Sequence, residues 1–399
     1  MEVALRTIPG EPVLGTGRPI VAGTLTPTRS VPVKSIVIHA GLPKTGTSAV
    51  QVFFSTHTET LANAGIFYPQ HSVDINGISA GNAGSLMERS GHLFVASPRE
   101  VARTLEEFEA SGCHTLLLSS EAFLPELPGI AELLPPQTRF VLYVRDPLAF
   151  LESDYNQRVK RLAHVDPFEP SPGAYGGWLG HEHLYHALDS EAVRSRLVLR
   201  PYLPELFVGD NLLTDLLDTA GIDTAELGDL SLRKVNLSYS LHALEIKRAL
   251  NALPLGPQLQ ERLDVHLQSC PLGPTTYTLI PPADHERLRK IADDELHALA
   301  LRYDIDSLEP MRELLQEKPQ KPFHPQQLTD DEVDAVVRHI ATVGKRLTRR
   351  IAQTLLEHPE IELVYPSLRD SFAAVAAELG EEFTAEPRRR WWQRLRRTD

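Results

Sequence analysis

Apolar residues in this chain fall into short unbroken runs separated by stretches of helical period. The first run is 33–39 (VKSIVIH), and comparable ones recur at 65–68, 115–119 (TLLLS), 139–144 (RFVLYV) and 196–200 (RLVLR). Consecutive apolar, β-branched positions mark strands covered on both faces, as in parallel sheets. Helical patterns lie between the runs, the first from Thr47 to about Asn63. This alternation predicts an α/β fold, a three-layer sandwich whose mainly parallel sheet carries helices on both faces and gathers ligands beyond its carboxyl edge.

Past about residue 230 helical patterns dominate, at 239–252, 259–269 and 284–303. Pro319, Pro322 and Pro325 within 317–327 (EKPQKPFHPQQ) predict a linker, drawn at 306–328. Thr329 and Glu332 then form a capping box. Behind it Val333, Val336, Val337, Ile340, Leu347, Ile351 and Leu355 keep one helical face, so 329–386 reads as a helical C-terminal appendage. Residues 1–32, rich in Gly, Pro and Thr without a period, read as a disordered leader to a main domain over 33–305. Residues 387–399 read as a basic tail, with six arginines and Trp391-Trp392 in RRRWWQRLRR. No internal repeat is found.

Charge changes this picture more than composition does. Forty Lys and Arg against 53 Asp and Glu leave a net −13, a field that repels nucleic acid and demands a local positive site for any anionic ligand. Two distant cysteines, Cys113 and Cys270, exclude a disulfide scaffold and a cysteine zinc module. No apolar run approaches the ~20 residues of a spanning helix, and none resembles a signal peptide, so the chain reads as cytoplasmic. The Arg/Trp tail fits either a solubilising end or peripheral membrane contact; two tryptophans are costly to leave in water, which favours contact.

The richest stretch is His39-Ala40-Gly41-Leu42-Pro43-Lys44-Thr45-Gly46-Thr47-Ser48, a strand, a tight turn and a helix start. First-turn amides and the helix dipole attract an anion there. Gly41 and Gly46 let the backbone approach it, Lys44 adds charge, and Thr45, Thr47 and Ser48 add hydroxyls. Gly41, Gly46 and Ser48 keep the spacing of the nucleotide-triphosphatase loop GxxxxGK[ST], but Thr47 replaces its lysine. That lysine would reach the β- and γ-phosphates beside magnesium, so its loss suits a nucleotide with a simpler 5′ group and no metal.

A second element follows the strand at 139–144. Asp146 is a good N-cap and Pro147 a good first helical residue. Ser153 lies two turns beyond, on the same face, where with Arg145 it could grip a further phosphate. Taken alone, an arginine at a strand end is more often a structural ion pair, and neighbouring Asp146 strengthens that reading.

Together, PKTGTS after one strand and RDPxxxxxS after a later one resemble the two signatures of sulfotransferases that use 3′-phosphoadenosine 5′-phosphosulfate. The likeness spans about 33–305 and is nearest to bacterial, carbohydrate-type members. It implies that Lys44 touches the oxygen bridging phosphate and sulfate. Thr45, Gly46, Thr47 and Ser48 would cradle the 5′-phosphate, and Arg145 and Ser153 would bind the 3′-phosphate. The position of Glu121, after the strand at 115–119, is similar to the catalytic glutamate of heparan-type members; His39 is the reserve base. The implied reaction is metal-free in-line transfer of a sulfuryl group to a hydroxyl, or an amine, of a carbohydrate or glycan precursor. The rival readings are a P-loop phosphotransferase, disfavoured by Thr47, and a nucleotide-binding protein without turnover.

Weaker signals are His181-Glu182-His183-Leu184-Tyr185-His186, which misses the HExxH zinc motif and reads as solvated helix surface. Asn236-Leu237-Ser238 reads as a helix cap or pocket lining. Tyr155, Gln157 and Arg158 read as facing either the acceptor or solvent.

Overall fold

The computed structural model describes residues 34–71, 81–91, 93–171, 181–225, 227–232 and 238–380. The expected leader, the Arg/Trp tail and Asn236-Leu237 lie outside them. Strand β1 (Ser35–Ala40) leads through the turn to α1 (Thr47–Thr56), α2 (Thr58–Asn63) and β2 (Ile66–Phe67). A hairpin of β3 (Met87–Ser90) and β4 (Leu93–Ala96) precedes α3 (Pro98–Ser111) and β5 (Thr115–Ser120). Then come α4 (Leu127–Leu133), β6 (Arg139–Arg145), α5 (Pro147–Arg161), α6 (His181–Asp189), α7 (Glu191–Arg194), β7 (Leu197–Tyr202) and α8 (Leu212–Ala220). The rest is helical: α9 (Leu241–Leu250), α10 (Pro257–Gln268), α11 (Pro282–Tyr303), α12 (Glu309–Glu317), α13 (Asp330–Val343), α14 (Lys345–Glu357) and α15 (Ser367–Glu378).

The main sheet runs β2-β5-β1-β6-β7, and every pairing is parallel. Alternate residues serve opposite layers, as a pleated strand requires. Val37, Leu117, Val141 and Tyr143 pack with α1, α2 and α8 through Val50, Phe54, Leu61 and Leu213. Ile36, Ile38, Leu118, Leu142 and Val144 pack with α4 and α5 through Leu127, Ile130, Leu151 and Val159. Both faces are covered, which is why the strands read as continuous apolar runs, and the α/β three-layer expectation holds. The chain leaves β1 toward one edge of the sheet and β6 toward the other. Their carboxyl ends therefore flank the crevice where such sheets bind ligands.

Three local expectations need correction. The helix from Thr47 breaks at His57, whose φ of −118° is not helical, and side chains also bond the last carbonyls of α1. Ser55 and Thr56 hydroxyls donate to Val52 O at 3.0 and 2.8 Å, while His57 Nδ1 lies 2.8 Å from Phe53 O. The face 333–355 is two helices, parted at Gly344; the capping box of Thr329 and Glu332 is present. The span 306–328 is not all linker: α12 buries Met311 and Leu315. The proline stretch after it is pinned, with Pro322 O accepting from Thr278 N at 2.9 Å and Ile280 O accepting from Gln320 Nε2 at 2.8 Å.

The helical C-terminal region shares the main core. Val336, Ile340, Ile351 and Phe372 belong to the same cluster as Ile38 and Leu142. Buried Glu245 accepts from Arg248, from Gln326 Nε2 at 2.5 Å and from Tyr365 Oη at 2.8 Å. Gln326 also accepts from Phe168 N at 2.6 Å and donates to Tyr155 Oη at 2.8 Å, tying this region to α5.

Candidate functional site

The turn between β1 and α1 is shaped for a close backbone approach. A Cβ on Gly41 would stand 2.4 Å from Thr47 Oγ1, so only glycine fits. Lys44 (φ 70°) and Gly46 (φ 74°) are left-handed on either side of Thr45. Alternation of hand turns successive N–H groups to one side, forming an anion nest. For a lysine this conformation costs roughly 1–2 kcal/mol, the kind of strain that persists where function needs it. Gly46 caps α1 without a side-chain bond, and the amides of Thr45 to Ser48 meet no protein acceptor among the described residues.

The hydroxyls divide. Thr45 is fully buried and donates to Leu42 O at 2.7 Å, so it offers a ligand its amide and not its hydroxyl. Thr47, also buried, lies 3.4 Å from Thr45 Oγ1 and faces Glu121. Ser48 is half-buried, and its hydroxyl bonds nothing among the described residues. The expected three hydroxyl donors reduce to Ser48 and a shared Thr47.

Lys44 is half-buried, and burial lowers its pKa to about 8. Glu121 and Asp154 pull it back up, and Arg145 and Arg161 push it further down. Glu121 starts the turn after β5; it is exposed, yet its carboxyl is held above its usual pKa by surrounding protein. A side chain that is both wet and crowded lines a recess. The Lys44 charge and the Thr47 hydroxyl partly offset that rise. Glu121, Thr47 and Lys44 thus form one electrostatic unit: a carboxyl inclined to take a proton beside an ammonium inclined to give one.

His39 is different. It is 0% exposed, its Nδ1 lies 2.9 Å from Ser119 Oγ, and Nε2 has no partner among the described residues. Burial lowers its pKa to about 4, so it is neutral at physiological pH and closed off from a substrate. The reserve base is therefore a support beneath the turn.

Arg145 ends β6 beside this unit. Its Nη1 donates to Lys44 O at 2.7 Å, and its guanidinium lies 5.7 Å from the centre of the Tyr202 ring. The ion pair expected with Asp146 is absent. Asp146 caps α5 through Leu148 N at 3.1 Å and accepts from Nη1 and Nη2 of Arg289 at 2.7 and 3.2 Å. Arg145 thus makes no ion pair among the described residues; burial lowers its pKa, and the more distant charges of Asp146 and Glu152 partly offset that. Ser153 lies on α5, half-buried, its hydroxyl bonding nothing among the described residues. Next to it Glu152 accepts from Thr278 Oγ1 at 2.6 Å and Leu279 N at 2.7 Å, fixing the helix.

Sequence reasoning missed the residues that brace the site. Gln51 Nε2 lies 3.3 Å from Ser119 O, and Asn82 Oδ1 accepts from Ser119 N at 2.8 Å, which hold the end of β5. Gln51 sits four residues after Thr47, a helical spacing that could have flagged it. Asn82 had no readable signal, because it reaches Ser119 across 37 residues. Of the residues left open, Tyr155 is buried in the core, and half-buried Arg158 pairs with Asp154 at 2.7 Å. Residues 183–186 of the histidine-rich segment lie on α6, which buries Leu184. No group of three metal-ligating side chains occurs among the described residues. Nor is any described helix long and apolar enough to cross a membrane.

Compared with models of protein families, with curated proteins and with solved structures, the chain matches none.

Proposed function

We propose that this protein is a sulfotransferase that moves a sulfuryl group from 3′-phosphoadenosine 5′-phosphosulfate to a hydroxyl of a carbohydrate or glycan precursor, in the cytoplasm. The observation that carries the reading is Arg145. A half-buried arginine that makes no ion pair among the described residues, bonded to the Lys44 carbonyl, joins the two anion-binding elements into one crevice. That crevice suits a nucleotide with phosphate at both ends of its ribose.

The proposed chemistry assigns these residues as follows. The amides of Thr45 to Ser48 receive the 5′-phosphate, and Arg145 with Ser153 receives the 3′-phosphate. Glu121 accepts the acceptor's proton as its oxygen attacks sulfur. The bond from sulfur to the bridging oxygen breaks, and Lys44 stabilises the charge left on that oxygen. The products are a sulfate ester and adenosine 3′,5′-bisphosphate. Transfer of labelled sulfate to a panel of glycans tests this. Lys44→Ala lowers turnover on the order of 10²–10³-fold, as when a transition-state donor is lost. Wild-type turnover in that variant would overturn the assignment.

A further inference from the structure

We infer that the face where α10, α13 and α14 meet docks on an anionic lipid surface. Lys345, Arg346 and Arg350 are exposed within the first two turns of α14. None bonds a carboxylate among the described residues; Arg350 donates only to Gln353 Oε1, at 2.8 Å. The nearby carboxylates are already engaged. Asp334 and Glu378 both accept from Arg338, the latter at 2.8 and 3.2 Å, and Glu357 accepts from Gln353 at 2.9 Å.

The patch continues onto α10. His339 Nε2 lies 3.4 Å from His266 O, and a Cβ on Gly344 would stand 2.6 Å from His266 Nε2. Arg262 is exposed and close enough for its charge to bear on His266. On the same elements two aliphatic side chains stand out, Val265 of α10 at 49% exposure and Val343 at the end of α13 at 46%. Cations around protruding aliphatic groups are the chemistry of an interfacial surface: the cations meet anionic headgroups and the methyls enter the boundary beneath.

Two further facts favour a bilayer over an acidic protein. Arg349 Nη2 donates to Leu379 O at 2.6 Å, so the chain leaves the described fold beside this face. Eight residues beyond Gly380 the sequence begins its run of six arginines around Trp391 and Trp392, a reach of at most about 30 Å. Tryptophan belongs at the headgroup level. The net charge of −13 also repels an anionic membrane from the rest of the surface, so it orients the protein by this patch.

This inference is independent of the sulfotransferase reading. Its test is flotation of the full chain with vesicles of about 30% phosphatidylserine in phosphatidylcholine, and with phosphatidylcholine alone. The compared variant is Lys345→Glu/Arg346→Glu/Arg350→Glu, whose fold is checked by its melting curve. At low salt each cation contributes about fivefold to partitioning. The triple variant therefore loses on the order of 100-fold or more toward anionic vesicles, and wild type ignores the zwitterionic ones. Equal flotation of variant and wild type overturns the inference, as does wild type that floats with neither vesicle or with both alike.

Discussion

Arg145 and Arg200 stand on adjacent strands, two residues apart in register: Tyr143 faces Arg200 and Arg145 faces Tyr202. Their surroundings are opposite. Arg200 donates to both carboxylate oxygens of fully buried Asp215, which also accepts from Tyr143 Oη at 2.7 Å and Val208 N at 3.0 Å. That network commits Nε and Nη2 of Arg200 to the fold. Arg145 has a backbone carbonyl and an aromatic ring, and its natural partner Asp146 is held by Arg289. One arginine is committed to the fold and the other is left able to bind, and only the latter sits at the carboxyl edge beside a strained, amide-lined turn. An arginine at a strand end is therefore informative once its counter-ion is known.

The contrast yields graded expectations. Asp215→Ala strands the Arg200 charge and the Tyr143 hydroxyl in the interior. It should destabilise the protein by about 3–5 kcal/mol in denaturant titrations while folded molecules keep their nucleotide affinity. Arg145→Ala reverses that pattern. Stability changes little, but loss of a charge-assisted phosphate contact weakens nucleotide binding by about 1.5–3 kcal/mol, roughly 10- to 150-fold, by calorimetry. If Arg145→Ala instead lowers stability and spares binding, the two arginines play the same part.

The pH dependence is smaller. Only ammonium Lys44 holds an anion, and its pKa in the free protein is about 8 rather than the usual 10.5. Nucleotide affinity should fall above pH 8 by up to about tenfold per unit. A level profile through pH 9.5 would place the nucleotide away from Lys44. Smallest is Ser153→Ala: one neutral hydrogen bond is lost, about 0.5–1.5 kcal/mol, a several-fold weakening seen in the same titration.

The layered fold was legible because both faces of the sheet are covered, so the strands read as unbroken apolar runs. The turn 41–48 and the start of α5 were legible because glycines, Asp146 and Pro147 act locally. Three things were not. The break at His57 is a single non-helical residue that no glycine or proline marks, and the packing of 306–328 depends on Met311 and Leu315 meeting distant helices. The release of Arg145 depends on Arg289, 143 residues from Asp146. Contacts at such separations leave no trace in local spacing.

The most direct measurement is calorimetric titration of adenosine 3′,5′-bisphosphate into wild type and into Lys44→Ala/Arg145→Ala, with divalent metal chelated. Saturable one-to-one binding by wild type, weakened at least a hundredfold in the double variant, is the expected result. No binding by wild type at millimolar nucleotide, or equal binding by both proteins, would contradict a crevice built from these two elements.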